Sequence, residues 1–416
     1  MNKRTYRSKK VKQINWNQLK ESLSGEKISL AIDIAKQKQF AMLSNEDGSV
    51  SALFSWLHPE ETPDVLGAMA NLCCPVTVIV ESTSTYGDAL RYQFRQLGFE
   101  IHQASAKRVH DAKEVYDGVP SLHDAKAATI IARMYRDGLT RPWRELTEEE
   151  RHLNALRIEY DMHKTQYQRN LNRLEAYLSR HWPEVTYILD LGSVSLESLL
   201  MKYGSPAQVA CHAKVAAKEL KRASRSMLAP QKIAQVIACA KSTTGMPCIE
   251  SERRCLQALA SEMGHSRMQI NRVKKALEET IDDDVQLVEM GRMIGRVTTA
   301  ILMSFHLDPR NFKCPRSYQK AMGLNLKEKS SGRHFGQLKL TKRGNSKARM
   351  YLYFATLRMI QKDPVVKAWY LNKRHPKAKN KTVIAVMRKL SKALWHVAQG
   401  QAFDANKLFS VSHKGS

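Results

Sequence analysis

Regular patterning begins at Ile28, where apolar positions gather into short runs of β character. Ile28-Ser29-Leu30-Ala31-Ile32 is almost continuously apolar. Phe40 to Ser44 and Val50 to Trp56 flank the turn residues Asn45-Glu46-Asp47-Gly48. These runs predict a strand over about 28–34 followed by a hairpin. A helical stretch near 60–72 leads to a second buried-type strand, Val76 to Val80. A helix over 88–97, a strand through Ile101 and an alanine-rich helix from Asp124 to Arg136 follow. A hairpin first and crossovers later is the order of an RNase H-like α/β domain.

Beyond residue 146 the period changes to three and four. Leu153, Leu156, Tyr160, His163, Tyr167, Leu171, Leu174 and Leu178 form one seam of a long helix, near 147–180. Leu256, Leu259, Met263, Ser266, Ile270, Val273 and Leu277 form another. Such seams suit a coiled coil, formed with each other or with a second subunit, and equally an ordinary two-helix insertion packed on its own domain. Residues 184–245 between them are mixed and basic. Further on, an apolar segment from Met293 to Phe305 surrounds Gly295, and a glycine-punctuated basic loop spans Leu326 to Lys347. Helices are expected over 346–361 and 380–399, with a basic link between them. The expected organisation is therefore a flexible basic arm (1–25), an RNase H-fold domain (26–145), a coiled-coil and linker region (146–283), a mostly helical C-terminal domain (284–408) and a short tail (409–416).

Composition narrows the partner. Lys and Arg number 67 against 40 acids, a formal charge of +27. That excess suits a polyanion, most simply nucleic acid, rather than a small-molecule substrate. The seven cysteines, at 73, 74, 211, 239, 248, 255 and 314, are scattered and show no zinc-finger spacing. They fit a reducing cytoplasm and argue against a disulfide framework or a structural metal. The basic N-terminus lacks the apolar core of a signal peptide, and no run approaches a membrane span.

Two groups of residues carry candidate chemistry. Asp33 and Glu81 each end an apolar run, and Asp124 opens the alanine-rich helix. Carboxylates at such places are costly to bury unless paired or metal-bound. Together they have the order expected of a Mg2+-binding nuclease site, in which acids from separate strands and a helix converge. Taken singly, each also fits a strand end or a helix N-cap. Asp117 is a further candidate, although Tyr116-Asp117-Gly118 also reads as a turn. In the second group, Ser330-Ser331-Gly332 lies among Lys327, Lys329, Arg333 and His334, and Thr341-Lys342-Arg343-Gly344-Asn345 continues the basic surface. The spacing alone fits a phosphate-binding loop. A serine nucleophile there would need a base or metal from elsewhere.

The whole series resembles a known family. It runs from Asp33, Glu81 and Asp124-Ala125 through the seams to Gly295, Thr299-Ala300, Asp308, Phe312, Met322-Gly323-Leu324, Ser331-Gly332 and Thr341-Lys342-Arg343-Gly344-Asn345. This is similar to the DEDD transposases of the insertion-sequence 110 family, relatives of the Piv-type invertases. The resemblance implies a RuvC-like N-terminal domain whose acidic tetrad binds Mg2+, with Asp33, Glu81 and Asp124 as first, second and last members. The third member, three residues before the last, is here Ser121, so either the third ligand comes from elsewhere, with Asp117 a candidate, or this chain works with three acids. It also implies that Ser331, with Ser330 as neighbour, attacks a DNA phosphate. Lys329, Gly332, Arg333, Lys342, Arg343 and Asn345 would then grip nucleic acid. Donor and target DNA, an element-encoded noncoding guide RNA and a dimer or tetramer of the chain are the implied partners. The runner-up readings are a RuvC-like junction nuclease and a catalytically decayed nucleic-acid binder.

Overall fold

The computed structural model describes residues 6–81, 85–331, 334–374 and 379–410. The chain divides into two compact units, Met1–Glu145 and Leu146–Ser416.

The first unit contains β1 (Lys9–Lys10), α1 (Trp16–Ser22), β2 (Ile28–Asp33), β3 (Lys38–Asn45), β4 (Ser51–Leu57), α2 (Thr62–Asn71), β5 (Val76–Glu81), α3 (Asp88–Gln96), β6 (Glu100–Ala104), α4 (Ala106–Asp111), α5 (Asp124–Arg136) and β7 (Arg141–Pro142). The strands form one mixed sheet in the order β1-β4-β3-β2-β5-β6-β7. Central β2 runs antiparallel to β3 and parallel to β5. This order is compatible with an RNase H-like domain.

Both faces of the sheet are covered, which explains the unbroken apolar character of β2 and β5. Leu30, Ile32, Val78 and Val80 pack on one side with Val65 and Met69 of α2 and Leu90 and Phe94 of α3. Ala31 and Ile79, pointing the other way, pack against Ala127, Ile130 and Ile131 of α5. The small alanines let α5 lie close to the strands.

The arm expected to be flexible is instead built into this unit from Lys9. Strand β1 pairs with β4, and Val11 and Leu23 are buried in the sheet's core. Trp16 meets Phe54 edge-on, with ring centroids 5.4 Å apart. Apolar anchors spaced among lysines carry little periodic signal, yet each removes an apolar side chain from water.

The second unit is helical apart from one hairpin. It comprises α6 (Glu148–His181), α7 (Val185–Ile188), α8 (Val194–Tyr203), α9 (Pro206–Cys211), α10 (Ala213–Ala223), α11 (Pro230–Lys241), α12 (Glu250–Glu279), α13 (Val285–Ile294), α14 (Arg296–Ser304), α15 (Pro315–Ala321), β8 (Leu326–Ser331), β9 (His334–Leu340), α16 (Ser346–Lys362), α17 (Pro364–Lys373), α18 (Lys379–Ala398) and α19 (Ala405–Leu408). Helices α6 and α12 pack against each other within the chain. Arg180 meets Glu252 at one end and Arg272 meets Glu159 farther along, so the two helices run antiparallel. Leu174 and Leu178 of α6 join Leu256 and Met263 of α12 in a core shared with α8 to α11, where the sequence suggested no role. Val273 and Leu277 reach the core of the C-terminal helices.

Three local differences from expectation have simple causes. The apolar segment around Gly295 is two helices, broken where Gly295 takes φ +91°. Leu326–Ser331 and His334–Leu340 pair as antiparallel strands rather than forming a loop, because pairing between strands supplies an order that their few apolar positions do not announce. Helix α17 was not anticipated. Asp363 ends α16 and restarts the chain by accepting hydrogen bonds from the Val365 and Val366 amides at 2.9 and 3.0 Å.

Candidate active site

Asp33 is the last residue of β2 and Glu81 the last of β5. The two strands are adjacent and parallel, with Ile32 opposite Val80, so both carboxylates leave the same sheet edge one step further on. Asp124 arrives from the first turn of α5, which packs across β2 and β3. Asp124 is not the helix cap. His123 occupies that position, its Nδ1 accepting from the Lys126 amide at 3.3 Å.

The three acids act on one another. Burial first, then the negative charges of Glu81 and Asp124, push the Asp33 carboxyl up to about 7, and a hydrogen bond with Glu81 adds to the shift. Burial also raises Glu81, against the lowering effect of that hydrogen bond. Two carboxyl groups can hydrogen-bond only if a proton lies between them. Carboxylates crowded in this way either keep a proton or share a cation. A hard divalent ion with oxygen ligands suits this donor set.

Asp117 is engaged elsewhere. Its Oδ1 accepts from Lys126 Nζ at 2.9 Å and from the Val119 amide at 3.0 Å, and its Oδ2 accepts from the Tyr6 hydroxyl at 2.8 Å. Those bonds, the Lys126 one first, hold its carboxyl down to about 2. The groups that raise Asp33 are Glu81 and Asp124, not Asp117.

Lys126 is the residue that sequence reasoning missed. Its side chain is 1 % exposed and also donates to the Val119 and Ser121 carbonyls, at 2.8 and 3.0 Å. It thereby ties the 117–121 loop to the helix that carries Asp124. A lysine on the buried side of an alanine helix was the available signal. Lys126→Met would take one donor from Asp117 and leave the Val119 and Ser121 carbonyls without that bond, so we expect the unfolding midpoint to fall. Urea unfolding of the variant checks this, and an unchanged midpoint would mean the loop holds itself.

The second group of candidate residues lies in the helical unit. Ser331 ends β8 and pairs with His334 across the tip of the hairpin, with a register irregularity between Lys329 and Ser331. Gly332 and Arg333, and the side chains of Lys329, Ser330 and Ser331, lie outside the described residues. Lys342 and Arg343 are exposed beside the hairpin's second strand. Asn345, expected to touch nucleic acid, caps α16 by accepting from the Ala348 amide at 3.0 Å.

Tertiary packing joins two motifs that are separate in sequence. Arg349 Nη1 donates to the carbonyls of Met322 and Gly344, at 3.2 and 3.0 Å. Gly344 has φ +149°, and a Cβ there would collide with the backbone of Ala321 and Gly323. Gly344→Ala is therefore expected to cost about 2 kcal/mol or more and to lower the melting temperature. A variant that melts like wild type would show that the two turns can separate freely.

Comparison with known families bears on both units. Residues 30–183, which include all three acids and the whole of α6, match the IS110 DEDD family, described as a transposase. Residues 287–371, which include the hairpin and its flanking turns, match the family described as Transposase IS116/IS110/IS902. No curated protein shows a significant match to the chain. With an IS110-type match on each unit, in order, this chain belongs to the IS110 family of DEDD transposases and is a DNA transposase.

Proposed function

We propose that this transposase exchanges DNA strands with two chemistries, a RuvC-like acidic site and a serine nucleophile. The observation that carries the first is the placement of Asp33 and Glu81 at the ends of adjacent parallel strands, with Asp124 in the first turn of the helix packed across them. Asp33, Glu81 and Asp124 would hold Mg2+, whose bound charge would stabilise the oxygens around a scissile phosphate. Lys126 and Asp117 position the loop ahead of Asp124 and are not ligands in this reading. Ser331 would attack the DNA phosphate, replacing a deoxyribose oxygen on phosphorus. The strand end is thereby kept as a phosphodiester on the protein until it is rejoined. Lys329, Ser330, Gly332, Arg333, Lys342 and Arg343 would hold the DNA backbone around that serine, and Asn345 would support them as the cap of α16.

Donor and target DNA would be selected by base pairing to a guide RNA encoded by the element. The protein would contribute backbone contacts, for which its +27 charge is suited. A dimer or tetramer would bring the two chemistries to one junction. Exposed Ile158 and Met162, one turn apart on α6, and Met268 on α12 offer an apolar strip to a second copy.

The test combines purified protein, Mg2+, RNA transcribed from the element's flanks, and labelled donor and target DNA on a denaturing gel. Label that migrates with protein supports the proposal. Free cleaved ends without a protein-linked species favour the junction-nuclease reading, and no product at all favours a decayed binder.

A further inference from the structure

The far end of the α6/α12 pair gathers a second set of metal-ligating atoms. His181 is the last residue of α6, Cys248 lies just before α12, and Glu252 is in the first turn of α12. One donor atom from each lies within 4.8 Å of the others.

The imidazole is the telling member. His181 is fully buried, and its Nδ1 stands 3.1 Å from the Met246 carbonyl. A ring nitrogen facing a carbonyl carries a proton, so in the neutral ring Nε2 keeps its lone pair. Among the described residues that Nε2 is buried with no hydrogen-bond partner. It lies 3.6 Å from Glu252 Oε1. A lone pair facing a carboxylate is unfavourable unless a cation lies between them. Backbone hydrogen bonding that fixes the second ring nitrogen is the usual support of a metal-bound histidine.

The loop that brings Cys248 is held rigidly. Glu184 accepts from the Thr243 hydroxyl at 2.7 Å and from the Thr244 amide and hydroxyl at 2.7 and 2.8 Å. The Met246 amide donates to the Arg180 carbonyl at 2.8 Å. Gly245 lies so close to the His181 backbone that any side chain there would collide. Glu252 has other partners, since Arg180 lies 3.2 Å from its Oε1 and the Ile249 amide donates to its Oε2 at 3.2 Å. These bonds orient the carboxylate.

We infer that His181 Nε2, the Cys248 thiolate and Glu252 bind one zinc-class divalent ion that fastens the ends of α6 and α12. Thiolate, imidazole and carboxylate together suit zinc rather than magnesium. One thiolate and one carboxylate neutralise the ion's two charges, which reduces the cost of a partly buried site. Solvent takes the remaining tetrahedral position. This site is separate from the acids at the sheet edge and revises the expectation that the scattered cysteines exclude a structural metal.

The competing arrangement is a protonated His181 paired with Glu252 beside an unliganded thiol. Cobalt(II) separates the two. Full-length protein, stripped with chelator and dialysed against Co2+, should show near-ultraviolet thiolate-to-cobalt absorption that Zn2+ displaces. Cys248→Ser should abolish that band and weaken zinc binding about 100-fold, whereas Cys255→Ser, Cys239→Ser and Asp33→Asn keep the band. Zinc should raise the melting temperature of wild type but not of Cys248→Ser. His181→Gln alters a fully buried position and tests folding as well as binding, so Cys248→Ser is the deciding variant. Absence of the band in wild type, or its persistence in Cys248→Ser, overturns the inference.

Discussion

Asp33→Asn should abolish DNA cleavage, by about 10³-fold or more, and at the same time make the metal-free protein more stable at pH 8. The two effects have one origin. Asp33 is held at the end of β2 beside Glu81 and Asp124, where burial and like charge favour its neutral form and raise its carboxyl from the ordinary 3.8 to about 7. A carboxyl whose folded pKa lies above its unfolded value adds stability at low pH, and that stability is lost as pH rises from about 4 to about 7. Asparagine stays neutral throughout. The variant should therefore match wild type near pH 4 in EDTA and exceed it increasingly up to pH 7, with a constant gain above.

Magnesium should reverse the comparison. An ion held by these acids would compete with the proton on Asp33, so its stabilisation of wild type should be larger at pH 8 than at pH 6. Asp33→Asn should show little response at either pH. Thermal melts with EDTA or Mg2+ at both pH values, run beside the cleavage assay, make the test. A variant that responds to Mg2+ as wild type does would remove Asp33 from the site, whatever its cleavage rate.

Ser331→Ala should eliminate the protein–DNA adduct, by about 10³-fold or more, with no change in melting temperature. The serine is the last residue of β8. Ser330→Ala should retain the adduct. The pair of variants is needed because the backbone register is irregular between Lys329 and Ser331, so position along the strand does not single out one of the two serines. An adduct lost in Ser330→Ala and kept in Ser331→Ala would move the nucleophile by one residue. Cleavage that survives both changes but not Asp33→Asn would leave a metal-dependent nuclease, with the hairpin only gripping DNA.

Much of this protein is written in local order. The runs ending at Asp33 and Glu81, the alanine helix from Asp124 and the two long seams were readable because period two and period three-to-four are properties of neighbouring residues. Their succession also suggested a mixed sheet followed by helices. What no local pattern could supply was convergence. Asp33 meets Glu81 because β5 lies beside β2 in matching register, which depends on sheet order. Asp117 could be read from its neighbours as a ligand or as a turn residue, and Lys126, buried from the next helix, is what engages it. The seams left partner choice open, and packing within the chain decided it. His181, Cys248 and Glu252 lack any sequence spacing characteristic of a metal site, and they meet only because two long helices run antiparallel and a loop is pinned across their ends. Sequence by itself determined which residues were costly to bury and where the strongly periodic elements would lie, but not the arm's strand, the pairing of β8 with β9 or α17. Tertiary structure alone decided which of those costly groups would share a partner, because that depends on contacts between segments far apart along the chain.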